Sequence, residues 1–429
     1  MSDSNHYLVI SVGSTGDIHP FMSLAHELQV LGRAVTFIAP SYHAALAEGA
    51  GLPFVGLGSD EEYLRLLANP EIWDPKKCFA ALLGNYSDAL RQMDVAIRSL
   101  ALADNKVIIA HPFAIPAAAI AREQGYVKSI VAVYLAPSNL KTCHDPLTIG
   151  PVSVPSWVPM SWRRAYWNFV EKGWIDPVSV SQINAVRAPR GLPPVSSLLS
   201  HIAETPDLSL TLFPAWFAAP APDWPGPLIM GDFPVFEANA QAELSAELSD
   251  FLANGEKPLV FTAGTANLHA GKFFACALAA TQRLGRRAIF LSKDRQQIPA
   301  SLPDSVLWQV YVPLAKLLPH AAVLIHHGGI GTTAEALRAG IPQLIIPFAW
   351  DQFDNAARLV ALSAGKTLSA RQLTPRKLAR SLDVLCHADH IKTQCMQLAK
   401  HFNLPHRPVA LCQAIELYLL QKKSELSDN

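Results

Sequence analysis

Residues 326–340 read HHGGIGTTAEALRAG, and this stretch decides what fold and what chemistry to expect. An apolar run ends in His326, glycines follow, and a helical pattern begins at Thr332. The first N–H groups of a helix lack partners within it, and the helix dipole favours negative charge there. Glycines let an anion approach the backbone, and His327 can donate a hydrogen bond to a phosphate oxygen. The stretch therefore predicts a site for a diphosphate.

The same residues also allow a purely structural interpretation. The glycines would then only make a tight turn, with Thr332 as the N-cap of the helix. A metal site is disfavoured, because adjacent strand residues point to opposite faces and His326 and His327 cannot easily share an ion. We expect His326 to be a hydrogen-bonded residue of the core.

Two further strand ends carry polar or aromatic residues. Asp351 and Gln352 follow the predicted strand 343–347, and a carboxylate beside a carboxamide suits vicinal sugar hydroxyls. The alternative is that they belong to the start of the next helix, with Asp354 as its cap. Tyr311 ends the predicted strand 306–311 and is suited to stack on a base, whose edge neighbouring backbone groups would read. It is equally compatible with an ordinary tyrosine at a strand end.

Short apolar runs alternate with helical patterns along the chain, which indicates βα units around parallel sheets. We predict strands at 7–12, 34–39, 107–110, 130–134, 259–262, 288–292, 306–311, 322–326 and 343–347. The helices between the later strands are expected to end at Gly285, Gly340 and Gly365. The sequence predicts an α/β fold with two doubly wound, Rossmann-like parallel-sheet domains facing across a cleft.

The stretch 205–235 is rich in proline and predicts an extended connector between the domains. We place the N-terminal domain at 1–215, the linker at 216–240 and the C-terminal domain at 241–405. Residues 406–429 are predicted to form a C-terminal helix that packs back on the N-terminal domain.

The composition excludes several classes of protein. Among 429 residues, 35 Lys and Arg balance 35 Asp and Glu, so the chain lacks the positive net charge that would favour binding to nucleic acid. Half of the residues are hydrophobic, which excludes a disordered chain. The six cysteines have no C-x-x-C spacing, and neither a signal peptide nor a membrane span is predicted. We expect a cytoplasmic protein and leave a peripheral membrane contact open.

The first predicted strand is followed by the loop 13–17, which ends in Asp17. Asp17 is a candidate general base that faces the cleft, and its structural alternative is an N-cap for the helix predicted over 20–31. His19 is the rival base.

A different enzyme class shares part of the glycine pattern. Gly329, Gly331 and Ala334 fit the dinucleotide fingerprint, and Asp351 lies 22 residues beyond Gly329. That fingerprint normally opens a domain at its first strand, whereas several predicted strands precede this one. An NAD-dependent oxidoreductase is therefore a remote alternative.

The run from His327 to Gln352 resembles the donor-binding signature of the UDP-glycosyltransferase superfamily (family 1), whose members have the two-domain GT-B fold. The shared elements are the histidine, Gly-Gly-x-Gly-Thr, Glu-Ala, Ala-Gly-x-Pro and Asp-Gln at matching spacing. The resemblance implies that His327 and the backbone at Gly329, Gly331 and Thr332 hold the donor diphosphate. Thr265 matches a serine or threonine that also touches phosphate.

The resemblance implies roles for five further residues. Tyr311 would lie against the base, and Val312 would read its edge through the backbone. Asp351 and Gln352 would bind sugar hydroxyls. Asp17 aligns with the catalytic histidine of plant members, a position where many bacterial members carry aspartate. The implied reaction is an inverting displacement that needs neither a metal nor a cofactor beyond the nucleotide-sugar co-substrate.

Segments 72–75, 213–217, 223–225 and 351–355 are similar to the rhamnosyltransferases of bacterial rhamnolipid synthesis. That likeness implies dTDP-L-rhamnose as donor and a 3-(3-hydroxyalkanoyloxy)alkanoate, a hydroxy-fatty-acyl lipid, as acceptor, with the N-terminal domain holding the acceptor. It also suggests association with the acceptor-synthesising enzyme. UDP-glucose or another donor, and a polyketide acceptor, remain alternatives. The aromatic-rich segment 157–174 is a candidate acceptor lid or membrane contact, or else part of the core.

Overall fold

The computed structural model describes residues 5–74, 76–100, 106–144, 147–149, 152–155, 157–234, 243–265, 269–403 and 408–427. Its strands form two large parallel sheets and one small hairpin. The strands are β1 His6–Ile10, β2 Ala34–Pro40, β3 Phe54–Leu57, β4 Lys106–Ala110, β5 Ser129–Tyr134, β6 Leu147–Ile149, β7 Val152–Val154, β8 Leu208–Thr211, β9 Leu228–Met230, β10 Leu259–Thr262, β11 Ala288–Leu291, β12 Val306–Gln309, β13 Val323–His326, β14 Gln343–Ile345 and β15 Gly365–Thr367.

The first sheet has the order β3-β2-β1-β4-β5-β8-β9, and the second has the order β12-β11-β10-β13-β14-β15. All neighbours within these sheets are parallel, while β6 and β7 form the antiparallel hairpin. In each sheet the strand order reverses beside the first strand, between β1 and β4 and between β10 and β13. These reversals are the topological switch points at which doubly wound sheets bind ligands. The predicted fold class is confirmed.

Helices cover both faces of each sheet and bury its apolar side chains. The helices are α1 Thr15–Val30, α2 Ala44–Gly49, α3 Asp60–Ala68, α4 Cys78–Leu83, α5 Tyr86–Ser99, α6 Ile115–Glu123, α7 Met160–Val170, α8 Asp176–Arg187, α9 Leu198–Glu204, α10 Ala246–Ala253, α11 Gly271–Leu284, α12 Leu314–Leu317, α13 Ile330–Arg338, α14 Gln352–Ala361, α15 Pro375–His387, α16 Asp389–Ala399 and α17 Pro408–Ser427.

The first helix begins five residues earlier than its proline predicts. Helix α1 starts at Thr15 because Ser14 and Asp17 cap it reciprocally, so that Asp17 lies inside the first turn rather than before it. Pro20 is then an interior residue that gives up one intrahelical hydrogen bond.

Two of the three predicted glycine caps have the left-handed backbone that a C-cap needs: φ is 62° at Gly285 and 67° at Gly340. The third prediction is wrong, since Gly365 opens β15 and Ser363 takes the left-handed conformation after α14, with φ 56°. A Cβ at residue 365 would lie 2.2 Å from the carbonyl oxygen of Gln343, so close strand approach explains this glycine.

The proline-rich stretch 205–235 contains more regular secondary structure than the predicted extended connector. Strands β8 and β9 both lie within 205–235 and pair with each other at the edge of the first sheet, so the chain leaves that sheet only after Met230. Residues 235–240 of the expected linker lie outside the described residues. At the other end of the chain, α17 lies against α1. Cys412 and Ile415 are buried there, and Arg33 Nη2 donates to Glu416 Oε2 at 3.0 Å.

Candidate active site

A cleft of about 1500 Å³ separates the two sheets, and loops from both switch points line it. The first turn of α1, which follows β1, carries Asp17, and the loop after β13 carries His327, so the topology places these two predicted residues on opposite walls. Parallel strands end at the same edge of a sheet, which explains why residues far apart in sequence converge here.

The glycine loop after β13 leads directly into α13. Gly329 is the N-cap, with no side-chain hydrogen bond at the cap, so the helix begins at Ile330, two residues before the predicted Thr332. Thr332 is therefore not the N-cap, which removes the structural role considered for its hydroxyl. Gly331 and Thr332 lie in the first turn and line the cleft, where unpaired N–H groups and the helix dipole favour an anion.

The His327 imidazole is held between two glycines. A Cβ would lie 2.7 Å from its Cε1 at Gly264, where φ is +87°, and 2.5 Å from its Nε2 at Gly329. Nδ1 is enclosed and has no hydrogen-bond partner in the described part of the chain, which leaves Nε2 to face the cleft. Burial lowers the pKa of His327 to about 4, so the ring is neutral near pH 7 and donates through a single N–H.

His326 has the structural role that the sequence predicts. Its Nδ1 accepts from the backbone N–H of Gly328 at 3.1 Å, so its Nε2 carries the proton and donates to Gln343 Oε1 at 2.9 Å. Burial lowers the pKa of His326 to about 3. These bonds fix the loop that presents His327.

Asp351 is linked to the glycine loop by hydrogen bonds of Asn355, a residue to which the sequence analysis assigned no role. Asn355 Nδ2 donates to Asp351 Oδ2 at 2.8 Å and to the carbonyl oxygen of Gly328 at 2.9 Å. The candidate sugar-binding carboxylate and the candidate phosphate loop are therefore joined through the Asn355 side chain.

Gln352 lies at the first position of α14 and is buried. Its Oε1 already accepts from the backbone N–H groups of Phe348 and Ala349, at 2.8 and 3.1 Å. Both lone pairs of that oxygen are thus used, and only the amide N–H₂ remains for a ligand. The predicted role of Gln352 in binding sugar hydroxyls is therefore limited to donation from its amide group.

Asp17 is half-buried in the first turn of α1, where it forms the capping box with Ser14. Its Oδ2 accepts from Ser14 N at 2.7 Å and Ser14 Oγ at 2.9 Å, which leaves Oδ1 to accept a proton. A Cβ at Gly13 would lie 2.5 Å from Oδ2, so glycine is needed for this arrangement. Burial raises the pKa of Asp17 despite the opposing hydrogen bonds from Ser14, which makes it a stronger base than a free aspartate.

Several residues around Asp17 were missed by the sequence reasoning. Tyr63 Oη donates to the carbonyl oxygen of Gly13 at 3.3 Å and stacks on Tyr42 at 4.7 Å. His43 packs edge-on against both tyrosines, and Lys293 lies on the opposite wall after β11. Burial, with His43 and Lys293 nearby, lowers the pKa of the rival base His19 to about 4.

The other predicted donor residues line the second wall of the cleft. Thr265 follows β10 at the switch point, and residues 266–268 beyond it lie outside the described residues. Strand β12 ends at Gln309, so Tyr311 lies in a loop with 54% of its surface exposed, while Val312 is buried. An exposed aromatic ring at this position is free to stack on a base.

One group of side chains in the first-domain part of the cleft is apolar. It consists of Phe79, Leu82, Met93, Phe113, Tyr134 and Val170. Phe79 also contacts Trp350 of the second domain, with ring centroids 5.5 Å apart. Trp350 has a φ of 58°, a strained backbone for a bulky residue, immediately before Asp351. An apolar pocket thus adjoins the polar site.

The charge of Asp17 acts on the pKa of Asp351 across the cleft. Burial, with a further contribution from the charge of Asp17, raises the pKa of Asp351 to about 7. Between about pH 4 and pH 7 the unfolded chain releases this proton while the folded chain keeps it, so stability is lost as the pH rises. We expect the free energy of unfolding to fall by up to about 4 kcal/mol over this range because of Asp351.

Denaturant unfolding of the wild type and Asp351→Asn at several pH values measures this effect. The Asn variant should lack the decrease, and Asp389→Asn, which removes a carboxylate that is 93% exposed, should keep it. Identical pH profiles for wild type and Asp351→Asn would contradict the assignment.

Comparisons with known proteins agree with this fold. Residues 278–416 match the family model of the erythromycin biosynthesis protein CIII-like C-terminal domain. The O-mycaminosyltylonolide 6-deoxyallosyltransferase of Streptomyces fradiae is 26% identical over 403 residues, which are 87% of this chain and 88% of that protein. The solved structure of the glycosyltransferase of kitacinnamycin has a TM-score of 0.73 at 20% identity and covers 97% of this chain and 99% of its own.

A second solved structure, the spinosyn rhamnosyltransferase SpnG complexed with thymidine diphosphate, has a TM-score of 0.64 at 20% identity. It covers 96% of this chain and all of its own. Fold, cleft and these likenesses define the class: the chain is a glycosyltransferase with the GT-B fold. Within that class, residues 278–416 are similar to the C-terminal domain of the erythromycin type, and the relative from Streptomyces fradiae and the two solved structures are named as glycosyltransferases.

The dinucleotide alternative does not fit the topology. A Rossmann fingerprint lies after the first strand of its sheet, which here is β10, whereas Gly329 and Gly331 follow β13, the fourth strand in chain order. In the part of the chain that the structure describes, no cluster of histidine, cysteine and carboxylate side chains suits a metal ion. No helix described is long and apolar enough to cross a membrane.

Proposed function

We propose that the chain transfers L-rhamnose from dTDP-L-rhamnose to the hydroxyl of a 3-(3-hydroxyalkanoyloxy)alkanoate lipid, with inversion at the anomeric carbon. The observation that carries the proposal is one cleft that is lined by Asp17, by the glycine loop after β13 and by apolar side chains of the first domain. The apolar pocket suits acyl chains. The spinosyn rhamnosyltransferase, which has a similar fold, was solved with thymidine diphosphate, and this favours a thymidine nucleotide.

In the proposed division of labour, domain 1–215 holds the acceptor and domain 241–405 holds the donor, with 216–240 between them and 406–429 against the first domain. The diphosphate lies at His327, Thr265 and the N–H groups of Gly329, Gly331 and Thr332. Tyr311 stacks on the base, whose edge meets the backbone of Val312. Asp351 and Gln352 hold sugar hydroxyls.

The proposed reaction is a direct displacement. The acceptor oxygen attacks the anomeric carbon and forms the new C–O bond, while the bond from that carbon to the phosphate oxygen breaks. Asp17 Oδ1 takes the hydroxyl proton. The diphosphate leaves with the electron pair, and the start of α13 and His327 stabilise its charge.

A second candidate keeps the same mechanism with another donor or acceptor. The relative from Streptomyces fradiae is named for transfer to a tylonolide, so a polyketide acceptor with UDP-glucose or another nucleotide sugar is the alternative. We place the reaction in the cytoplasm, with a peripheral contact at the inner membrane and association with the enzyme that makes the acceptor.

The donor is tested by thermal shift with dTDP, UDP, dTDP-L-rhamnose and UDP-glucose. A ligand at 100 times its Kd stabilises the fold by about 2.7 kcal/mol, and we expect this response with the thymidine ligands. Mass spectrometry then follows rhamnosylation of the hydroxyalkanoyloxyalkanoate. Stabilisation by UDP-glucose alone, or transfer only to a polyketide, would contradict the proposal in favour of the second candidate.

A further inference from the structure

Four aromatic side chains around α7 lie in solvent, although aromatic rings usually pack. We call Trp157, Trp162, Phe169 and Trp174 the aromatic patch; their exposed fractions are 80%, 72%, 60% and 44%. Trp162 and Phe169 are seven residues apart on α7 and so lie on one helical face. The rings of Phe169 and Trp174 contact each other, with centroids 5.9 Å apart.

The opposite face of α7 is firmly anchored, so the patch cannot be buried by rotation of the helix. Trp167 is buried and its Nε1 donates to the carbonyl oxygen of Thr142 at 2.7 Å. Arg163 is also buried and donates to the carbonyl oxygens of Cys143 and Pro155, at 2.8 and 3.0 Å. The fold therefore presents the aromatic patch outward as a fixed feature.

The exposed charged side chains within the segment 157–174 are basic. Between 157 and 174 the exposed charged residues are Arg164 and Lys172, while the one acid, Glu171, is buried and pairs with Lys141 at 2.5 Å. Aromatic side chains that insert at the headgroup level, flanked by basic side chains, are the composition that binds anionic lipid surfaces.

The patch also adjoins the cleft. Trp174 belongs to the π-helical turn Glu171–Ile175 and lines the cleft, as does Val152, which is 47% exposed. Behind them lies the apolar pocket of the first domain. A surface that inserts into a lipid layer would thus bring the mouth of the pocket to the layer itself.

We propose that the aromatic patch, with Arg164 and Lys172, docks on a lipid surface that carries anionic headgroups. The acyl-chain acceptor then enters the apolar pocket from the lipid layer past Trp174. The entry route rests on the proposed function, because it requires a lipid acceptor. The docking itself depends only on the exposed side chains.

Co-sedimentation of the full chain with vesicles tests the docking. Phosphatidylcholine vesicles are compared with vesicles that also contain phosphatidylglycerol. We expect binding to the anionic vesicles, a loss of about tenfold or more in Trp162→Ser/Phe169→Ser, and a salt-sensitive loss in Arg164→Gln/Lys172→Gln. The control, Val95→Ser/Met396→Ser, changes two side chains that are 58% and 56% exposed elsewhere, and should bind as the wild type does.

Two outcomes would overturn the docking: equal binding to both kinds of vesicle, or a patch that proves to hold a second copy of the chain. The latter would appear as a dimer in sedimentation that Trp162→Ser/Phe169→Ser dissociates. An assay of rhamnosyl transfer to a short acceptor that forms no micelles tests the proposed function separately from the docking. The patch variants should retain that activity, whereas inactivity of the wild type would refute the transferase proposal and leave the vesicle result intact.

Discussion

Replacing Asp17 by asparagine is expected to lower kcat by about 10²–10⁴-fold, the usual contribution of a general base. Asparagine can still accept the hydrogen bond from Ser14 N and keeps the size of the side chain, so the start of α1 should stay intact. The variant loses the ability to take a proton, together with the negative charge that helps to raise the pKa of Asp351. Affinity for the nucleoside diphosphate, measured by calorimetry, should remain close to that of the wild type.

The pH profile gives a second test of the same residue. Because burial raises the pKa of Asp17, transfer should decline as the pH falls through that pKa and the carboxylate becomes protonated. The Asp17→Asn variant should lack this acid limb. His19→Gln is the matched control, since His19 is the rival base two residues away. Loss of activity in His19→Gln with little change in Asp17→Asn would reverse the assignment.

The strand, turn and helix around the glycine loop could be predicted well from the sequence, because their signals are local. The apolar run, the glycines and the helical period of 326–340 specify a strand, a turn and a helix without reference to the rest of the chain. The error in the start of α13 is also local: Thr333 Oγ1 and Thr333 N both bond to the carbonyl oxygen of Gly329, which makes glycine rather than Thr332 the cap.

The environment of Asp17 could be predicted only in part. The spacing Ser14-x-x-Asp17 is a capping box that the chain displays, but the proline at 20 suggested a later helix start. The effect of Asp17 on the pKa of Asp351 depends on how the two domains face each other, for which no local pattern exists. The positions of Tyr63 and Lys293 at the site could not be predicted either, because the segments that carry them show no recognisable motif.

Gly264→Ala is expected to weaken binding of the nucleoside diphosphate by about 10–100-fold, the equivalent of one hydrogen bond to a charged group. The new Cβ would lie 2.7 Å from Cε1 of His327, so the imidazole must leave the position between Gly264 and Gly329. Titration calorimetry with dTDP measures the loss directly. The nucleoside without phosphates should bind almost as well as it does to the wild type, because only the phosphate contact is disturbed.

Alanine at this position also strains the backbone, since φ at Gly264 is +87°, and a matched control removes that ambiguity. Gly285 has a φ of +62°, and a Cβ there meets nothing within 4 Å. Gly285→Ala should therefore lose a similar ~1 kcal/mol of stability while it binds dTDP normally.

The double variant Gly264→Ala/His327→Ala tests whether Gly264 acts on nucleotide binding through His327. If Gly264→Ala acts by displacing the imidazole, it should cause almost no further loss of dTDP affinity once His327 is absent. The losses of affinity from the two substitutions should then be strongly non-additive. Independent, additive losses would mean that Gly264 acts on the bound nucleotide by another route and that the two glycines do not serve to position His327.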